Sequence, residues 1–236
     1  MNMPLLEKDE NRAFVNENDT VKILYSFTGQ NCPVTIKVYN KLQKAIYIDW
    51  SKSAIILDGR KISYWVDKSE LNASSSGYEY QWTKDFSSTH SEIDGTIYRD
   101  ERISFIPPQS FTSITRINLR SNFFKLNKED ALKDEYWGTT TGSIKLTNHT
   151  FDDATSPLSF RSYITLSTKD DFSSEINFDN QFWVESVAKS GYAPDALINK
   201  PSNQFHLRKA SVGGKIFGWT AVLAALTLLA LYGGKL

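Results

Sequence analysis

From about residue 20 to residue 188, short runs with apolar residues at every second position dominate, and such runs can bury one continuous face only as β-strands. In TVKILYSF, Val21, Ile23, Tyr25 and Phe27 share a face, opposite Lys22 and Ser26. Val34, Ile36 and Val38 do the same in PVTIKVYN, and Ile46, Ile48 and Trp50 in AIYIDW. The polar NKLQK between these last two runs reads as the turn of a hairpin. In SAIILDGRKISYWV, Asp58-Gly59 is a two-residue loop, because both central residues of a type I′ turn need positive φ; residues 53–57 are expected to pair with 60–66. Further runs in EYQW, GTIYRD, RISFIP, SFTSITRINL, GSIKL, LSFRSYITLS and EINF with QFWVESV bring the expectation to roughly ten or eleven short strands.

The interruptions matter as much. Pro107-Pro108 cannot donate to a ladder and should end a strand. LNASSSG, Leu71 to Gly77, reads as a small polar loop, and Lys128 to Tyr136 as one short helix with Asn127 as its cap and Glu129 and Asp130 in its first turn. Many short antiparallel strands without alternating helices predict an all-β fold, an antiparallel β-sandwich with immunoglobulin-like layers over residues 19–188, rather than a parallel sheet. Residues 1–18, polar apart from Pro4-Leu5-Leu6 and Phe14-Val15, read as a loose arm.

Beyond the alternation the chain changes character. Residues 189–215 carry Gly191, Pro194, Pro201, Gly213 and Gly214 without a sustained period, which predicts a linker. Residues 216–234 hold no charge, and as a helix they would be roughly 28 Å long, near the roughly 30 Å hydrocarbon core of a bilayer. Trp219 and Tyr232 sit near the two ends, where amphipathic rings favour the headgroups, and Lys215 and Lys235 lie just beyond, placed to snorkel. The competing account is a buried core helix, but such a helix normally shows a polar stripe. The expectation is a single-pass, tail-anchored protein whose bilayer contact is this transmembrane helix. Lys200, Arg208, Lys209 and Lys215 precede the span and only Lys235 follows it, which predicts a cytoplasmic body. The opening MNMPLLEKDENRAF lacks the apolar stretch of a secretory signal, in keeping with that orientation. Ala221 and Ala225 have small-residue spacing but also suit plain filler.

Little in the sequence points to chemistry. Lys plus Arg equals Asp plus Glu at 27 each, so there is no net field to draw in nucleic acid. Cys32 stands alone, which excludes an internal disulfide and any paired-cysteine zinc site. His90, His149 and His206 are far apart, and no metal or other cofactor is expected. Nucleophile-elbow, phosphate-loop and dinucleotide motifs are missing, so no catalytic residue is assigned. Asp152-Asp153 and Asp170-Asp171 lack calcium-loop spacing and suit exposed turns. The sequons at Asn72 and Asn148 are short enough to arise by chance.

Aromatic residues are the one excess, with 14 Phe, 11 Tyr and 6 Trp. Most belong in a core, but Tyr47 and Trp65 fall on faces opposite their apolar neighbours. With Tyr78, Tyr80 and Trp82 they form the candidate binding surface, able to stack a sugar or anchor a partner.

Three stretches, ENDTVKI (Glu17 to Ile23), YNKLQKAIYIDWSKSAI (Tyr39 to Ile55) and ERISFIPPQS (Glu101 to Ser110), resemble an uncharacterised family found mainly in Bacteroidetes. Ala45 stands where that pattern has a proline. The resemblance spans roughly residues 17 to 120. It implies a bacterial source, with the inner membrane as the home of the anchor, and carries no assigned activity. Asp49-Trp50 within it could be an acid beside an aromatic wall, but a strand end whose aspartate bonds backbone amides, with SKS turning the chain, accounts for it better.

Taken together, these features predict a membrane-tethered, non-enzymatic β-sandwich binding a protein partner at the membrane surface. The alternative is an envelope-facing module of opposite orientation that binds carbohydrate or an envelope partner. A third reading is a hydrolase in which Asp49 converges with Asp85 or Glu101.

Overall fold

The computed structural model describes residues 7–67, 69–83, 86–126, 131–139, 142–190, 201–209 and 220–231. In chain order the strands are β1 Glu7–Lys8, β2 Phe14–Glu17, β3 Val21–Ser26, β4 Pro33–Asn40, β5 Ile46–Asp49, β6 Ala54–Leu57, β7 Arg60–Ser63, β8 Ser69–Thr83 and β9 Phe86–Arg99. They continue as β10 Ile103–Ile106, β11 Phe111–Asn118, β12 Ala131–Thr139, β13 Gly142–Thr150, β14 Ser159–Ser167, β15 Glu175–Ser190, β16 Gln204–Lys209 and β17 Thr220–Leu231. The fold is all-β, and among the described residues there is no helix.

Two sheets make the body. The first runs β1-β2-β3-β4-β11, and the second has the path β10-β5-β14-β15-β13-β12, with β6 paired to β14 and β7 to β6, and with β17 paired to β15 and β16 to β17. Their strand pairings are antiparallel. The alternating residues of the first sheet, Val21, Ile23, Tyr25, Val34, Ile36 and Val38, are buried in one cluster with Ile46, Ile48, Trp50, Phe160, Ile164 and Phe182 of the second. Phe182 is its centre: its ring lies 4.9 Å from Phe27, 5.1 Å from Tyr25, 5.6 Å from Phe14 and 5.1 Å from the stacked Phe160. The period-two faces therefore meet one another across the core, which is what their alternation required.

A polar chain crosses this core. Asn16 Nδ2 donates to Asn180 Oδ1 at 2.8 Å, and Asn180 Nδ2 donates to the Tyr25 hydroxyl at 2.8 Å. Tyr25 also meets Ser162, whose hydroxyl lies 2.9 Å from that of Tyr64. Two residues of the first sheet, two of the second and the chain just after β7 are thus held by paired polar groups that would be costly to bury alone.

The structure agrees with several local expectations. β6 and β7 pair from Ala54↔Ser63 to Leu57↔Arg60, with Asp58 at φ 51° and Gly59 at φ 73°. β10 stops at Ile106, directly before the two prolines.

Others are corrected. NKLQK is not a hairpin turn: β4 belongs to the first sheet and β5 to the second, so the segment carries the chain across the core. Alternation fixes which face a strand buries but not which sheet receives it, and the buried Asn40 fixes the crossing. Its Nδ2 donates to the carbonyls of Lys44, Ile106 and Pro107 at 2.8, 3.1 and 3.0 Å. LNASSSG is strand, within β8. Ala131–Tyr136, expected as helix, lies in β12, where pairing with β13 outweighs the local capping signal; residues 127–130 lie outside the described residues. Phe14 and Asn16 of the expected loose arm are buried, because β2 pairs with β3. Part of the expected linker is strand β16, with Phe205 and Leu207 in the core.

The tail differs most. Where a helix is expected over 216–234, Thr220–Leu231 is strand β17, paired with β15 from Asp179↔Leu231 to Ser190↔Ala221. Neighbouring strands offer its backbone groups the partners that a helix would supply internally. Among the described residues no helix is long and apolar enough to cross a membrane. Lys215, Trp219, Tyr232 and Lys235 lie outside the described residues.

Candidate functional site

The three family-like stretches converge, and what they build is architecture. Glu17, Asn18 and Thr20 turn between β2 and β3, with Asn18 Oδ1 accepting from the Thr20 and Val21 amides at 2.8 and 2.9 Å. Lys41 Nζ reaches Glu17 Oε1 at 2.7 Å and the Asn18 carbonyl at 2.8 Å, and this ammonium holds the Glu17 carboxyl below its ordinary range. Gln109 Nε2 donates to the Lys41 carbonyl at 2.6 Å, and the Ser110 hydroxyl to that of Pro107 at 2.8 Å. With Asn40 these contacts close one end of both sheets around the crossing.

Asp49-Trp50 has the same structural character. Asp49 Oδ1 accepts from the amides of Ser51 and Lys52 and from the Ser51 hydroxyl at 2.5 Å, while the Ser53 hydroxyl donates to the Asp49 carbonyl. This is the strand end anticipated from the sequence. Trp50 Nε1 donates to Ser104 Oγ at 2.8 Å, and Ser104 donates onward to Glu101 Oε2 at 3.3 Å. Asp49 pairs with Ile103 across β5 and β10, and its carboxylate is taken up by the Ser51 and Lys52 amides while that of Glu101 receives Ser104; Asp85 lies outside the described residues. The same residues hold no group of three or more His, Cys, Asp or Glu able to bind a metal ion. Asn148 of the second sequon is 1% exposed on β13, which closes it to glycan attachment.

Of the five candidate aromatics, Tyr47, Trp65 and Tyr78 have described side chains, and each has its own surroundings. Tyr47 is half-buried on β5 against the exposed Phe105 of β10, with ring centroids 5.7 Å apart and planes tilted by 56°, so this pair gives no flat platform. Trp65 packs partly against the core and donates its indole N–H to the Asp100 carbonyl at 3.0 Å. Tyr78, Tyr80 and Trp82 occupy alternate positions along β8; the side chains of the last two lie outside the described residues.

The feature that alternation could not reveal is the β8–β9 ribbon. Strands of 15 and 14 residues pair from Ser69↔Arg99 to Thr83↔Phe86 as a separate two-stranded sheet, roughly 50 Å long at about 3.3 Å per residue. Its described side chains are exposed on both strands, including Tyr78 at 59% and Ile93 at 73%. Tyr78 faces His90 across the ribbon at 5.6 Å. Trp65 with Asp100, and Asp67 with Arg99, clasp its base. A two-stranded ribbon is marginal on its own in water, and one that shows an isoleucine and a tyrosine to solvent has unused contact area.

No protein-family model, curated protein or solved structure matches the chain. Its functional reading rests on the geometry above.

One chemical property of the body can be tested directly. Burial raises the pKa values of Tyr25, Tyr64 and Cys32 above their ordinary values of 10.0, 10.0 and 9.0. The folded chain therefore keeps protons at high pH that the unfolded chain loses. This stability is fully present below about pH 9 and falls as pH rises, by about 1.4 kcal/mol per pH unit for each group once its unfolded form ionises. Urea midpoints measured at pH 8, 9.5 and 11 should fall steadily, and Tyr64→Phe should flatten the last interval. A midpoint independent of pH over this range would contradict the burial of these three groups.

Proposed function

We propose that the chain is a membrane-tethered, non-enzymatic β-sandwich with immunoglobulin-like layers that binds a protein partner at the membrane surface. The observation that carries this reading is the β8–β9 ribbon, a long solvent-facing arm with Tyr78 and Ile93 exposed on paired strands. Aromatic and aliphatic side chains on a clasped support are suited to anchoring a protein surface. The tether of this reading is the uncharged run 216–234, which would leave its β17 pairing to cross a bilayer as a single helix, and the basic residues before it favour the cytoplasmic side for the body. The resemblance to the Bacteroidetes family supports a bacterial inner membrane.

The test is site-specific photocrosslinking in cells. A photoreactive residue at Ile93 or Tyr78 should give one discrete protein adduct in the membrane fraction, while the same group at the exposed Glu10 should give none. Absence of a discrete adduct from both ribbon positions would remove the reading.

The envelope-facing alternative differs from this reading in the side of the membrane on which the body lies. Protease added to sealed spheroplasts separates the two. An amino-terminal tag that survives until lysis places the body inside, and early cleavage would favour the envelope module.

A further inference from the structure

β17 is an interior strand. On one side it pairs with β15 over eleven positions, and on the other with β16 from Gln204↔Ala225 to Lys209↔Thr220. Both neighbours are fixed without it. β15 pairs along its opposite edge with β14 from Ser159↔Trp183 to Ser167↔Glu175 and with β13 through Asn148↔Ala188. β16 is tied to the first sheet: the Asn31 amide donates to the His206 carbonyl at 2.9 Å and the His206 amide to the Gly29 carbonyl at 3.0 Å. The chain just before it is tied likewise, through Phe27 N to Ser202 O at 2.7 Å and Ser202 N to Asn11 O at 2.8 Å. Phe205 and Leu207 then bury β16 in the core. Removing β17 would leave a seat one strand wide, its walls about 9.5 Å apart and lined by unpaired backbone groups.

The strand in that seat has ten apolar residues in twelve, interrupted only by Thr220 and Thr227, and lies inside a 19-residue uncharged run of bilayer length. In water such a segment would leave its apolar side chains uncovered. As strand between β15 and β16, or as helix in a bilayer, it has partners for its backbone. We propose that the seat between β15 and β16 is a reversible binding site for the chain's own membrane segment: it holds Thr220–Leu231 in water and releases them to enter a bilayer as a helix within the uncharged run 216–234. This rests on the tether reading and adds to it the place from which the tether departs.

The experiment locks the seat. The full chain carrying Gln204→Cys and Ala225→Cys, which face each other in register, is oxidised, and its free thiols are counted with the buried Cys32 left in place. Binding to phosphatidylethanolamine–phosphatidylglycerol vesicles is then measured by co-sedimentation before and after reduction. The expected result is a disulfide within one chain, at least tenfold weaker vesicle binding when oxidised, and recovery on reduction. Equal binding by both forms would overturn the seat while leaving the tether standing. Binding by neither form would overturn the tether and the seat with it, and failure of the disulfide to form under oxidant would show that the seat is not occupied in this register.

Discussion

Phe182→Ala should cost about 3–5 kcal/mol, the range for truncating a fully buried aromatic. Phe182 is 0% exposed and its ring touches four others drawn from both sheets: Phe14, Tyr25, Phe27 and Phe160. Removing it leaves a void edged by groups on opposite walls that are pinned by their own strand pairings, so collapse is restricted. Against a typical total of about 5–15 kcal/mol, such a loss leaves a marginal fold. The measurement is urea denaturation followed by intrinsic fluorescence, with Phe105→Ala as comparison, since that ring is 57% exposed. The comparison should fall within about 0.5 kcal/mol of the parent. Similar costs for the two variants would mean that the aromatic cluster is not the centre of the core.

Asn180→Leu should be nearly as severe for a different reason. The substitution keeps the volume roughly constant but removes the partner of both Asn16 Nδ2 and the Tyr25 hydroxyl. Asn16 Nδ2 is then buried without its acceptor, at about 1–3 kcal/mol, and the Tyr25 hydroxyl loses one bond while keeping Ser162, giving an expected loss of about 2–4 kcal/mol. A double-mutant cycle with Asn16→Ala distinguishes this from simple misfit. Both changes delete the same bond, so the double variant should be less damaged than the sum by about 0.5–3 kcal/mol. Additive costs, or a loss below about 1 kcal/mol for Asn180→Leu alone, would show that the polar chain does not join the sheets.

The parts of this fold that could be read from sequence are those decided within a few residues. The faces of β3, β4 and β5, the Asp58-Gly59 turn, the stop at Pro107 and the Asp49 strand end depend on pleat geometry, positive φ, a missing N–H and a short side chain. The parts that could not are decided by distant partners. NKLQK is polar enough for any turn, and only Asn40 meeting Ile106 and Pro107 shows that it crosses the core. The serine-rich start of β8 has no alternation because the described side chains there face solvent, so the strand left no apolar signature and passed for a loop. Thus the ribbon that carries the functional proposal was foreseen only in pieces, as the short runs EYQW and GTIYRD and the aromatics Tyr78, Tyr80 and Trp82. At Ala131–Tyr136 a cap and two acids favoured a helix, and pairing with β13 prevailed. The tail is the sharpest case, since an uncharged apolar run satisfies a bilayer helix and an interior strand alike.

The contact between Asn16 and Asn180 spans 164 positions of the chain, and Ser202 closes on Asn11 across a longer interval still. Few of the contacts that complete the core exist until nearly the whole body has been synthesised. Loop closure of that length precedes any reward from the pairing it permits, which places such a topology among slow folders. During synthesis the first sheet must therefore wait with its apolar face uncovered until β14 and β15 arrive. The amino-terminal half is thus an aggregation-prone nascent chain whose survival depends on how quickly its carboxy-terminal half follows.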